Sequence, residues 1–196
     1  MLKMQKTNDK AKLFKTASPE DAGYDIWGIF PNPITMLLPG DTLMVETGIK
    51  TEFSKDLVGR VWERGSTGVI NLQVRAGVVD SNYRGEWKVI LSNGNADASI
   101  FFLEGEVDSV LYDSHKQSIL NAYRLGRSGE VEFKIEEQKL TVRNEDSTSI
   151  LAYFYPQEKA IAQVCFLKIE KPEIVESTED LASSNRGEGS FGSSGH

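Results

Sequence analysis

The sequence predicts an all-β fold, a sandwich or barrel of short strands. Three observations carry that prediction. Residues 31–63 alternate short apolar runs with turn formers, among them Pro31, Pro33, Pro39-Gly40, Gly48 and Gly59, the spacing of many short strands. Two runs of period two flank residues 77–87: Ile70, Leu72 and Val74 before them, Trp87, Val89 and Leu91 after them. Ala160–Leu167 is nearly continuous apolar sequence, which reads as a strand buried on both faces.

Taken in order, residues 16–25 form a loop marked by Pro19 and Gly23 that feeds a strand, with Asp25 at its start. Ile34, Met36 and Leu38 alternate, as do Leu43 and Val45, and Pro39-Gly40-Asp41 between them is a turn. Arg64-Gly65-Ser66-Thr67-Gly68 combines one cation, two hydroxyls and two glycines in a turn whose N–H groups can form an anion nest. Residues 77–87 hold Asp, Ser, Asn and Gly between the two period-two flanks, so they read as the bend of a β-hairpin carrying Asp80 and Tyr83. Residues 114–125 predict a helix with Ser114 as N-cap and Ile119, Leu120 and Tyr123 on one face, ended by Gly126 and Gly129. Val131, Phe133 and Ile135, then Leu140 and Val142, predict a second hairpin turning near residues 136–138. Residues 150–155 predict a strand closed by Pro156. Residues 171–196 turn polar and glycine-rich, a composition too poor in apolar surface to order itself, and read as a flexible arm.

Composition narrows the function classes. At 196 residues, with 39% hydrophobic and 26% charged residues, the chain suits one soluble domain with a sizeable core. No apolar run approaches the roughly 20 residues of a membrane helix, and residues 1–14 lack a secretory h-region. The one cysteine, Cys165, sits in an apolar run, which predicts a buried thiol and a reduced, cytoplasmic setting. A net charge of −7 argues against general nucleic-acid binding, and two scattered histidines give no zinc constellation.

Individual side chains admit two readings each. Asp80 and Tyr83 suit an ordinary surface turn, or a pocket in which a carboxylate takes a water proton and a ring closes over a flat ligand. Asp25 suits a loop cap or a site carboxylate. Arg64 offers a planar fork for phosphate or simply marks a polar turn. Gln163 interrupts an apolar strand, so its amide needs partners, either in the core or on a ligand. Arg186, Phe191, Ser193 and Ser194 lie among glycines that let a chain wrap closely around a ligand, or form a plain Gly/Ser end.

Five stretches in order resemble the five motifs of the dUTPase family, the trimeric dUTP diphosphatases. They are residues 22–26 (AGYDI), 64–68 (RGSTG), 77–87 (GVVDSNYRGEW), 160–163 (AIAQ) and 186–195 (RGEGSFGSSG). The resemblance spans residues 1–93 and 158–196. It implies a jelly roll (β-clip) core over 1–93 and 158–175, an arm at 176–196 carrying the last motif, and a homotrimer with shared sites. Residues 94–157 then form an inserted small α+β subdomain, placed like the extra segment of some bacteriophage dUTPases, and a possible seat for a protein partner. Three positions depart from the family pattern: Gly65 stands where Ser usually follows the Arg, Ala160 where a basic residue is frequent, and Ser190 where Gly is usual.

The resemblance also implies roles. The substrate is dUTP, hydrolysed to dUMP and pyrophosphate with Mg²⁺, which keeps uracil out of DNA and supplies dUMP for dTMP synthesis. Asp80 is the general base, and Asp25 reaches the metal through water. Arg64, Ser66, Gln163 and Arg186 hold phosphates, with Gly65 beside them in the substrate site and Ser193 and Ser194 as further donors on the arm. Tyr83 packs under the deoxyribose. Backbone groups near Gly77 and Lys88 read uracil, and Phe191 caps it beside Gly192. Two rivals stand beside this reading. A nucleotide-switched regulatory protein would bind a partner through the insert. A dCTP deaminase on the same fold would use a glutamate after the hairpin, where this chain has Ile90.

Overall fold

The computed structural model describes residues 1–105, 132–136, 139–144 and 147–184. In chain order the elements are β1 (Lys3–Lys6), β2 (Tyr24–Ile26), β3 (Ile34–Leu37), β4 (Thr42–Glu46), β5 (Ile49–Glu52), β6 (Leu57–Trp62), α1 (Gly65–Val69), β7 (Leu72–Arg75), β8 (Val78–Asp80), β9 (Lys88–Asn93), β10 (Ser99–Leu103), β11 (Glu132–Glu136), β12 (Lys139–Asn144), β13 (Ser147–Pro156) and β14 (Ala162–Lys168). The all-β expectation therefore holds among the described residues, and α1 is the one helix there. None is long and apolar enough to cross a membrane.

The strands form four sheets, ordered β1-β5, β4-β9-β7, β2-β14-β6-β8 and β11-β12-β13-β10-β3. Their inner faces share one core, which includes Ile26, Ile49, Leu72, Leu91, Ile100, Phe102, Ile161 and Val164. Each such side chain, fully removed from water, stabilises the fold by about 1.5–3 kcal/mol before entropy is subtracted. Trp87 lies at the centre. Its ring meets Phe14 edge-on at 5.3 Å, and its Nε1 donates to Thr51 Oγ1 at 3.0 Å. Gly59 makes room for it: a Cβ there would lie 2.8 Å from the indole.

The period-two flanks pair as expected. Leu72 faces Asn93, Val74 faces Leu91 and Arg75 faces Ile90; Leu72, Trp87, Val89 and Leu91 are buried. The hairpin is not continuous to its bend, however. After Arg75 the chain leaves β9, and β8 pairs instead with β6 in another sheet, Asp80 opposite Val58. The crossing happens at Ala76, whose φ of 51° is left-handed, a conformation that costs a non-glycine residue about 1–2 kcal/mol. Gly77 follows because Val61 presses against it. The Val61 N–H donates to the Gly77 carbonyl at 2.7 Å, and a Cβ on Gly77 would sit 2.5 Å from the Val61 carbonyl oxygen.

The expected boundaries at 94 and 157 cut through one sheet. β10 pairs antiparallel with β3 of the core and parallel with β13, Phe102 opposite Tyr155. The hairpin expected near 136–138 joins that sheet as β11 and β12, Glu136 opposite Lys139, and β12 pairs onward with β13. Phe102, Ala152, Phe154 and Tyr155 are buried, so the strands at both ends of the 94–157 segment belong to the common core. The helix expected at 114–125 lies outside the described residues.

The reading of Ala160–Leu167 as buried on both faces is corrected. Ala160, Ile161, Ala162 and Val164 are buried, but Gln163 and Cys165 are half-buried on the other face and Leu167 is exposed. β1 was not legible from its residues. Lys3–Lys6 is mostly polar and exposed, and its pairing with β5 is held by backbone register and by the Lys3–Glu52 ion pair at 2.8 Å.

Candidate active site

A cavity of about 590 Å³ opens beside β2, α1 and β14. Three separate stretches supply its wall. The loop before β2 gives Asp21 and Gly23, and β2 itself gives Asp25; the start of α1 gives Arg64, Gly65 and Ser66; β14 gives Gln163 and Cys165. Register brings them together, since Gln163 faces Asp25 on one side and Trp62 on the other.

Arg64 and Asp25 form a two-point pair. Nε donates to Oδ1 at 2.8 Å and Nη2 to Oδ2 at 3.2 Å. Nη1 donates to Ser66 Oγ and to the Ala160 carbonyl, each at 3.3 Å. Burial pulls the Arg64 pKa down, but hydrogen bonding and charge from Asp25, with smaller contributions from Tyr155, outweigh it and leave the pKa raised. The guanidinium is therefore a fixed cation at the cavity wall.

The turn expected at residues 64–68 is a short helix. Thr67 sets it, three residues beyond Arg64: the Arg64 N–H donates to Thr67 Oγ1 at 2.9 Å, and the Thr67 hydroxyl donates to the Arg64 carbonyl at 3.0 Å. Thr67 is fully buried. With Arg64 at the N-cap and Thr67 three residues later, the stretch lacks the Ser/Thr-x-x-Glu/Gln pattern that marks a helix start in sequence. Gly65 has open space around it, and Ser66 takes up the hydroxyl position next to Arg64.

Gln163 satisfies half of its amide in the chain, donating from Nε2 to the Glu63 carbonyl at 2.8 Å. Its Oε1 lies over Gly23, where a Cβ would approach to 2.5 Å. Cys165, expected to be a buried thiol, shares this face and lines the cavity. Asp21 and Cys165 are wall residues that motif reading missed.

Asp80 and Tyr83 lie elsewhere. Asp80 is exposed at the end of β8, and the Tyr83 N–H donates to its carbonyl at 3.1 Å, closing the bend. Tyr83 folds back over Gly85 and donates its hydroxyl to the Glu86 carbonyl at 3.0 Å. In the sheet order β2-β14-β6-β8, Asp25 and Asp80 stand on opposite edge strands. Three inter-strand spacings, about 14 Å, lie between those strands, and the two residues align with Trp62 and Val58 of β6, a further offset of about 13 Å along the strand. Neither Asp80 nor Tyr83 lines the Arg64 cavity. Lys88, the other expected site residue near the hairpin, is exposed; Glu46, by hydrogen bond and charge, raises its pKa. Arg186, Phe191, Gly192, Ser193 and Ser194 lie outside the described residues.

Among the described residues no three His, Cys, Asp or Glu side chains converge as a metal cage. The hard oxygen donors at the cavity are the carboxylates of Asp21 and Asp25.

The dUTPase family model matches residues 9–106. The deoxyuridine 5′-triphosphate nucleotidohydrolase of Escherichia phage T5 is 35% identical over 99 residues, 47% of this chain and 66% of that protein, so the match spans just under two thirds of the relative. Among solved structures, the dUTPase of Staphylococcus bacteriophage 80alpha with dUPNHPP superimposes with a TM-score of 0.65 at 20% identity, covering 100% of this chain and 99% of that one. The dUTPase from phage phi11 of S. aureus, in a structure that visualises its species-specific insert, gives 0.60 at 16% identity, covering 92% of this chain and 97% of that one.

Proposed function

This chain belongs to the dUTPase family, and we propose on that premise that it hydrolyses dUTP to dUMP and pyrophosphate, with Asp80 as general base. One observation carries the reading furthest. Asp25, Arg64, Ser66 and Gln163, from three of the five motifs, line a single cavity, while the hairpin with Asp80 and Tyr83 stands apart on the far edge of the sheet. A cavity walled by a fixed guanidinium and a hydroxyl suits phosphates, and an exposed hairpin with a carboxylate and a ring suits a nucleoside and its attacking water. The two halves are too far apart to act on one small molecule within one chain. They fit together if the hairpin of one copy closes over the cavity of another, as in a homotrimer.

Within that arrangement, Arg64 and Ser66 hold phosphate oxygens and Gln163 turns its free amide oxygen toward their hydration. Asp80 takes a proton from a water that forms the new bond to the α-phosphorus. The bond from that phosphorus to the bridging oxygen breaks, and pyrophosphate leaves with the electron pair. Tyr83 packs against the deoxyribose, backbone groups near Gly77 and Lys88 contact uracil, and Arg186, Phe191, Gly192, Ser193 and Ser194 close over the ligand from the arm.

Magnesium fits the chemistry of the wall. Arg64 is one cation against the carboxylates of Asp21 and Asp25, so the bare wall does not balance a triphosphate. A divalent ion would supply the missing positive charge, and Asp25 is the residue that would hold it, through water. A protein partner would bind through the 94–157 segment.

The test is pyrophosphate release from dUTP, with dCTP, dTTP and UTP as controls, in Mg²⁺ and in EDTA. Release from dUTP alone, abolished by EDTA, is the expected result. Equal release from UTP, or none from dUTP, would overturn the assignment.

A further inference from the structure

Arg64 is held by more than Asp25. Of the five N–H donors on a guanidinium, four are engaged among the described residues: Nε and one Nη2 hydrogen with Asp25, and the two Nη1 hydrogens with Ser66 Oγ and the Ala160 carbonyl. The Ala160 carbonyl also accepts from the Tyr155 hydroxyl at 2.5 Å. Two donors, one from Arg64 and one from Tyr155, thus converge on one oxygen.

Tyr155 is not part of the motifs. It lies on β13, buried, with its ring edge-on to Phe102 at 6.0 Å and 69°. β13 pairs with β10 of the core on one side and with β12 on the other. The first residue of the fourth motif, the cavity wall and the β11–β12–β13 sheet therefore meet at one hydroxyl. A phenylalanine would fill the same core volume. The hydroxyl is the part that packing does not require.

We infer that Tyr155 is a positioning residue for Arg64: by sharing the Ala160 carbonyl it fixes where Nη1 sits, and so sets the aim of the remaining Nη2 hydrogen toward phosphate. The inference rests on the reading of Arg64 as a phosphate ligand. It also makes β13 the mechanical link between the β11–β12 hairpin and the site. A displacement of β13 moves the Ala160 carbonyl's second donor, and with it the geometry at Arg64.

The experiment is a double-mutant cycle on KM for Mg-dUTP, measured below the melting range of every variant. Tyr155→Phe should raise KM about fivefold, the worth of one ordinary hydrogen bond, and change kcat less than twofold. Arg64→Lys, which removes the fork but keeps the charge, should raise KM about tenfold or more. Adding Tyr155→Phe to Arg64→Lys should then do nothing further. Phe102→Leu disturbs the same packing but keeps the hydroxyl, and should leave KM unchanged. If Arg64→Lys leaves KM where it was, the phosphate role of Arg64 fails. If Arg64→Lys raises KM while Tyr155→Phe does not, or Tyr155→Phe acts equally in both backgrounds, or Phe102→Leu matches its effect, then Tyr155 is only a core aromatic and the inference falls.

Discussion

Arg64 and Asp25 meet fork to fork, Nε on Oδ1 at 2.8 Å and Nη2 on Oδ2 at 3.2 Å, with only 28% and 22% of their side-chain surfaces exposed. A pair held this far from water is stable while both partners are present and costly when one is removed. Asp25→Asn should therefore lower unfolding stability by about 1–3 kcal/mol, read by urea denaturation. The same variant should slow turnover, because the guanidinium loses its anchor. Unchanged stability would show that solvent, and not Asp25, satisfies Arg64.

The two halves of the site can be separated genetically. Asp80→Asn and Arg64→Ala chains should each be inactive as homo-oligomers. Mixed by unfolding and refolding, they should regain roughly a quarter of wild-type activity, the share of random sites that combine an intact cavity with an intact neighbouring hairpin. Recovery no greater than the sum of the two pure variants would contradict a site shared between copies.

Two glycines should fail in different ways. At Gly77 an added Cβ meets the backbone oxygen of Val61, which can yield only if β6 and β8 part. Gly77→Ala should thus destabilise the fold by about 1–3 kcal/mol. At Gly23 the added Cβ meets the movable end of Gln163. Gly23→Ala should fold, lose the Gln163 bond to the Glu63 carbonyl, and raise KM for dUTP. Thermal melting and steady-state kinetics on the two variants separate these outcomes. Gly65→Ser meets open space and should be tolerated in both assays.

Much of this arrangement was legible in the sequence because local pattern and tertiary demand agreed. Alternation at Leu72, Val89 and Leu91 reported one buried face, and the alternation of residues 131–142 marked two strands that pair, Phe133 opposite Val142. The motif order brought Asp25, Arg64, Ser66 and Gln163 forward before their shared cavity was known. Other features depended on contacts that no local pattern encodes. Ala76 takes a positive φ because the chain must cross between sheets there, although alanine gives no sign of it. Gly65–Val69 is poor helix-forming sequence, and the reciprocal bonds between Arg64 and Thr67 override that propensity. In Ala160–Leu167 the apolar Cys165 and Leu167 on the outer face hid the period of two, so Cys165 read as core. Tyr155 reads in sequence as one more strand aromatic; only the fold brings its hydroxyl to the Ala160 carbonyl that Arg64 also uses.

The arm has its own test. A chain ended after Asn185 should keep the melting temperature of the full protein, since the core lies in residues 1–168. Its dUTP turnover should fall at least about tenfold, because the triphosphate loses a bidentate arginine. Full turnover would remove Arg186 and Phe191 from the site.

Asp80 is where the account is most exposed, and one measurement addresses it: single-turnover pyrophosphate release from Mg-dUTP by Asp80→Asn, alongside equilibrium binding of dUTP to the same variant. With the carboxylate gone and the cavity intact, binding should stay within about twofold, and release should fall about a hundredfold or more, the usual worth of a general base. Release at near the wild-type rate with normal binding would show that another group takes the water's proton, and the assignment of the hairpin as the chemical half of the site would be wrong.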